Sequence, residues 1–313
     1  MFVDVVGAAR RACPPSGRSG IFIRLFVCLL VGLADRGVSV VHANDTPIIT
    51  IHSKEVTESS GLAASNRAAG HFWTHNDSGD GPRLFAINTQ GALTGSVVLE
   101  GAEAIDWEDI ASYQDRGGKR LIVADVGDNQ ARRDSITLYL IDEPDPRQHT
   151  RSSDFHTLKL HYPRGTCDCE AIGVDVQRRL IWLVAKRLLP AVSVYSLPLP
   201  TVSAAHPVTT EPIMLTHRGT LAIPMVTAMD IDPRTGDVVL VNYVQCLRFG
   251  QRASDPIGAW ILQVPQVTEL PKLKQIEAVA VDRDGEIWIT SEGTPGSLAR
   301  LGLGKAANSE GRE

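Results

Sequence analysis

Acidic and amide side chains recur in short blocks along this chain: HNDSGD (75–80), DWED (106–109), DVGDN (125–129), DCE (168–170) and the glutamates of QIEAVAVD and ITSEG near the C-terminus. Oxygen donors of this kind suit a hard cation such as Ca2+ or Mg2+ better than Zn2+. Glu108, Asp109, Asp125, Asp128, Glu170 and Glu277 are the candidate metal ligands. If a cation among them kept an open position it would act as a Lewis acid, and Asp77, Glu108, Asp125 or Glu170 could serve as general base. His75, Asn76, Lys186, Tyr243 and Glu292, at the ends of the second runs described below, are the candidate ligand-binding residues.

Other chemistries find less support. Ser78 lies close to His75, but no Gly-x-Ser-x-Gly elbow surrounds it. No phosphate-binding glycine loop and no Cys-x-x-Cys pair occurs. Asp232–Gly236 and Asp282–Gly285 look like calcium loops but lack a bidentate glutamate at the required distance, so they read as hairpin turns.

The elements that must position these residues form a repeat. Five segments align on the residue before an apolar pair: Ser60, Glu108, Glu170, Thr227 and Glu277, at spacings of 48, 62, 57 and 50 residues. Each is followed by a second short apolar run: 71–77, 121–129, 180–186, 238–243 and 286–292. Paired antiparallel, these runs put the start of the first strand and the end of the second at the same edge, which gathers the acidic blocks at one mouth. Most units supply two further strands, with AWILQVP (259–265) expected as the third strand of unit four.

The last unit lacks an outer strand, and PIITIHS (47–53) is an orphan near the N-terminus. Joining the two closes a ring and removes an exposed edge. The expected fold is therefore all-β, a single five-bladed β-propeller over residues 44–304. Six blades is the alternative if the long 108–170 interval hides a degenerate one. A β-sandwich would also alternate short strands and turns, but it gives no reason for an acid and a tryptophan (Trp73, Trp182, Trp288) to recur unit by unit. Those tryptophans are expected to pack between blades.

Residues 1–43 read as a secretory leader: Arg18 and Arg24, the apolar run Leu25–Leu33, and Val41-His42-Ala43 before a cleavage point. The apolar run is short for a membrane span, so the chain is expected in the periplasm or outside the cell, with no stable span after cleavage. Residues 305–313 read as a disordered tail. The whole sequence carries a formal net charge of −5, and loss of the arginine-bearing leader makes it more acidic still, which disfavours nucleic acid and anionic membranes as partners. Cys167, Cys169 and Cys246 remain, and a disulfide from Cys246 to either of the others would pin adjacent units; three free thiols is the alternative.

The blocks ESSGLAAS, WTHNDSGD, DWEDIA, DVGDN, EAIGVD and EAVAVD resemble a group of secreted bacterial propeller proteins without assigned activity, over roughly residues 47–303. More distantly, the glutamate-before-strand repeat is similar to SdiA-regulated and esterase-like phytase propeller domains. The resemblance implies an exported propeller with a metal-binding mouth. The chain departs from the repeat at Thr227, and no basic cluster of the kind inositol phosphates need is visible. The expected function is an exported propeller binding a small molecule or an extracellular protein at an acidic, Ca2+-binding central mouth. The alternative is a metal-dependent hydrolase of a phosphoester, ester or lactone.

Overall fold

The computed structural model describes residues 40–42, 46–201 and 211–302. Two short strands come first, β1 (Val40–His42) and β2 (Ile48–Thr50). Four-stranded units follow in order. Blade one comprises β3 (Ser59–Ala64), β4 (His71–Asn76), β5 (Arg83–Asn88) and β6 (Leu93–Leu99). Blade two begins with β7 (Trp107–Asp115), β8 (Gly118–Asp125) and β9 (Ile136–Asp142). The chain then returns to blade one, where β10 (His149–Ser152) lies parallel to β6, before β11 (Phe155–His161) completes blade two. That detour fills the long 108–170 interval, so no sixth blade is hidden there and the ring has five.

Blade three comprises β12 (Cys169–Asp175), β13 (Leu180–Ala185), β14 (Val192–Pro198) and, after the two-residue β15 (Ile213–Met214) has paired with β11, β16 (Thr216–Leu221). Blade four has β17 (Val226–Ile231), β18 (Val238–Asn242), β19 (Gln245–Phe249) and β20 (Gln266–Glu269). Blade five has β21 (Ile276–Val281), β22 (Ile287–Ser291) and β23 (Ser297–Leu301), and β2 pairs antiparallel with β23 as its outer strand. The orphan N-terminal segment thus closes the ring as the missing edge required. The strand β1 lies within the expected leader and pairs parallel with β20; the rest of residues 1–43, and the tail 305–313, lie outside the described residues.

One strand assignment is corrected. The third strand of blade four is Gln245–Phe249, and AWIL (259–262) is a 3₁₀ turn. Its hydrophobicity serves packing: Trp260 is fully buried and meets Trp182 edge-on at 5.5 Å. Among the described residues no helix is long and apolar enough to cross a membrane.

Each inner strand is flanked by two neighbouring blades, so its residues are covered on both faces and the apolar run is continuous; β12, CEAIGVD, is buried throughout. Outer strands have one wet face and alternate, as in β16. Five apolar cores fill the five blade interfaces, with Trp73, Trp182 and Trp288 each in a different one. Cys167 and Cys169 lie in the core between blades two and three, and Cys246 in that between blades four and five. All three are free, so the expected disulfide is not formed.

Candidate acidic mouth

A backbone irregularity builds the mouth. In every blade the pairing of first and second strands skips one residue: Ser60, Glu108, Glu170, Thr227 and Glu277. These are the residues on which the five repeats align. A β-bulge leaves its extra residue outside the ladder and re-aims its side chain. Glu108, Glu170 and Glu277 are thereby turned towards the channel mouth, while the two hydroxyl residues link blades. Ser60 Oγ donates to Glu108 O (3.4 Å), and Thr227 Oγ1 donates to Ile276 O (3.0 Å).

Asp106 and Asp168 immediately precede β7 and β12, and Asp77, Lys186, Tyr243 and Glu292 immediately follow β4, β13, β18 and β22. Seven carboxylates assemble as three overlapping triads: Asp77/Glu277/Glu292, Asp77/Asp106/Glu108 and Glu108/Asp168/Glu170, with one oxygen from each member within 4.8 Å of the others. Lys186 and Tyr243 complete the circle. Lys186 Nζ lies 2.8 Å from Glu170 Oε2 and 5.8 Å from the centre of the Tyr243 ring, whose hydroxyl donates to Glu277 Oε1 at 3.2 Å. All five blades contribute.

Burial, and after it the proximity of charged neighbours, shifts the pKa values of these groups. Burial, then Glu170, Asp77 and Asp106, pushes Glu108 well above the usual carboxylate range. Burial raises Glu170 to about 7 against the attraction of Lys186. Asp106 rises to about 6 through burial and the charges of Asp77 and Asp168, and Glu292 to about 8 through burial and Glu277. Burial opposes the Lys186 ammonium, but Glu170 and other nearby groups outweigh it and its pKa moves upward. The backbone is pressed into the same space: a Cβ on buried Gly127 would collide with Glu108 Oε1 and with Asp106 Oδ2.

The remaining sequence candidates are not members of these triads. Asp109 is fully buried inside the channel, where Oδ1 accepts from Ile110 N–H (2.8 Å) and Oδ2 from Ile172 N–H (2.8 Å) and Met229 N–H (3.4 Å). Asp125 Oδ1 accepts from Asp106 N–H (3.0 Å) and Arg133 Nη1 (2.8 Å). Asp128 accepts the amides of Arg132 and Arg133 and donates its own to Asp168 Oδ1. Asn76 uses Oδ1 on the amides of Thr57 and Glu58 and Nδ2 on Glu55 O and Asp80, fixing the entry to β3. His75 is buried against Trp107, 5.7 Å between ring centres, and burial lowers its pKa.

Asp106, Asp168 and Gly127 therefore belong to the site beside the bulge glutamates. Sequence reasoning missed Asp230, a carboxylate within the buried strand β17 that mirrors Asp109. Its oxygens accept from Ile231 N–H and Val281 N–H, both at 2.7 Å, and burial lifts it to about 7. A lone aspartate inside VTAMDI was the available signal.

No protein-family model matches the chain, and no curated protein matches it. Solved structures align with the chain at low identity. A glucose dehydrogenase aligns at 9% identity over 82% of this chain and 100% of its own, with a TM-score of 0.48. The soluble aldose sugar dehydrogenase of Escherichia coli aligns at 10% identity over 82% and 99%, TM-score 0.45. A gluconolactonase from Xanthomonas campestris aligns at 13% identity over 82% and 90%, TM-score 0.44.

Proposed function

We propose that the acidic mouth binds a divalent cation, Ca2+ foremost, and that the cation and the surrounding ring hold a small-molecule or extracellular protein ligand of an exported propeller. The overlap of the three carboxylate triads carries this reading. Two ligands of one Ca2+, each at about 2.4 Å, lie no more than about 4.8 Å apart, and each triad meets that limit.

The triads are not equivalent. Glu170 has Lys186 as counter-ion, and Glu277 has the Tyr243 hydroxyl. Asp77, Asp106 and Glu108 have no ion pair among the described residues, and Glu108 and Glu170 meet carboxyl to carboxyl. Like-charged oxygens at this spacing are relieved either by protonation or by a cation. The middle triad is the assigned site, with hard oxygen donors that fit Ca2+ or Mg2+. Calcium titration by calorimetry tests it: about one ion per chain in the wild type, with affinity falling ~100-fold or more in Glu108→Gln. Unchanged affinity in that variant would remove the assignment.

A second reading, a hydrolase of a phosphoester, ester or lactone, draws on Glu170. A carboxyl titrating near 7 beside an ammonium is suited to move a proton at neutral pH. A bound cation would supply Lewis acidity, Glu170 would take the proton from water, and Lys186 and Tyr243 would orient the substrate's oxygens. Under this reading Glu170→Gln abolishes turnover of a phosphoester and lactone panel while calcium binding persists; a panel that is inert with the wild type leaves the binding function alone.

A further inference from the structure

The face opposite the mouth carries an open depression of about 460 Å³ lined by Arg67, Gly118, Lys119, Asp145 and Arg147, with both arginines exposed. It lies where the β3–β4 turn of blade one, the β7–β8 hairpin of blade two and the loop between β9 and β10 converge. Its volume falls within the range of small-ligand sites, and its walls are charged.

A single buried residue holds the three segments in place. The carboxylate of Glu143, fully buried, accepts from Ser65 Oγ (2.5 Å), Asn66 N–H (3.1 Å), Arg67 N–H (3.4 Å) and Trp73 Nε1 (3.2 Å). Its own N–H donates to Lys119 O at 2.9 Å. Arg67 and Lys119 are therefore presented from backbone fixed before any ligand arrives, which lowers the ordering cost of binding.

The charge is unbalanced. The negative charge of Glu143 is taken up by its four donors behind the wall. Asp145 is engaged in a two-pronged contact with Arg147, Nε to Oδ1 at 2.9 Å and Nη2 to Oδ2 at 3.2 Å. Among the described residues neither Arg67 nor Lys119 forms an ion pair. Arg147 first, and Arg67 more weakly, hold the Asp145 carboxyl below its usual range, so the three cations of the lining outnumber its one carboxylate by two. A guanidinium and an ammonium facing a shared space match the oxygens of a compact dianion.

We propose that this pocket binds a small oxyanion of the phosphate class, through Arg67 and Lys119, independently of the acidic mouth. The proposal stands apart from the calcium reading, and inorganic phosphate is the probe. Calorimetric titration at low ionic strength and pH 7.5, on the full chain without added divalent cations, should show saturable binding in the wild type and equally in Glu108→Gln. The double variant Arg67→Gln/Lys119→Gln should bind at least ~10-fold more weakly. Both side chains lack ion pairs, so its melting temperature should stay within roughly 2 °C of the wild type. No saturable binding by the wild type, equal affinity in the double variant, or loss of binding in Glu108→Gln would each overturn the proposal.

Discussion

Glu108 and Asp109 are adjacent in sequence, and the two regions they enter treat the same functional group in opposite ways. In the middle of the channel, Asp109 and Asp230 direct their oxygens at backbone amides of neighbouring inner strands, tying blade two to three and four, and blade four to five. At the mouth, Asp77, Asp106 and Glu108 face one another. The inner carboxylates act as ties between blades. The outer ones concentrate like charge, which destabilises the ring unless protons or a cation relieve it.

The largest effect should come from breaking an inner tie. Asp109→Ala leaves buried amides on β12 and β17 without their acceptor and should cost about 3 kcal/mol or more, a fall in melting temperature of roughly 6–12 °C for a domain of this size. Glu108→Gln, one residue away, removes like-charge repulsion and should hold or raise the melting temperature of the calcium-free protein. Equal destabilisation by the two variants would dissolve the distinction.

An intermediate effect is expected where backbone meets the mouth. Gly127→Ala forces a methyl group against the carboxylate ends of Glu108 and Asp106, which must turn aside, so the cost should lie at the low end of overpacking, about 1 kcal/mol. Because it displaces two of the three assigned ligands, calcium affinity should fall with it. Calorimetry and thermal melting on one variant read both consequences.

The smallest effect is a pH dependence. Glu170 at about 7 and Glu292 at about 8 have folded-state values above their unfolded ones. The stability they contribute is present at low pH and is lost as pH rises through those values. His75 has the opposite sign: its lowered value contributes stability above its unfolded value near 6.5 and loses it on acidification. Between pH 6.5 and 8 the carboxylates dominate, and the calcium-free melting temperature should decline by a few degrees. Saturating Ca2+ should flatten that slope. Buried Asp230, at about 7, lies deeper in the channel and would add a slope that calcium leaves unchanged.

Much of the ring was legible in the sequence because the bulge position repeats. An acid or hydroxyl before an apolar pair, five times over, marks the residue that each blade expels from its ladder. The bulge itself is not visible in sequence, and it decides direction. It turns Glu108 to the mouth and leaves Asp109 in the channel, where backbone amides take up its oxygens, a difference that two adjacent acids in a sequence do not reveal. Hydrophobicity misled at AWILQVP because Trp260 fills a space beside Trp182, whereas the true strand, QCLRF, is shorter and more polar. The basic pocket had no sequence signature at all. Arg67 and Arg147 lie on two loops and Lys119 at the start of β8, segments that only the circular arrangement of blades brings together.

The most direct test of the cation site is anomalous diffraction from crystals of the protein grown with Ca2+. The account predicts a difference peak about 2.4 Å from oxygens of Asp77, Asp106 and Glu108. A mouth without a peak at saturating calcium, or an ion held elsewhere in the propeller, would contradict it.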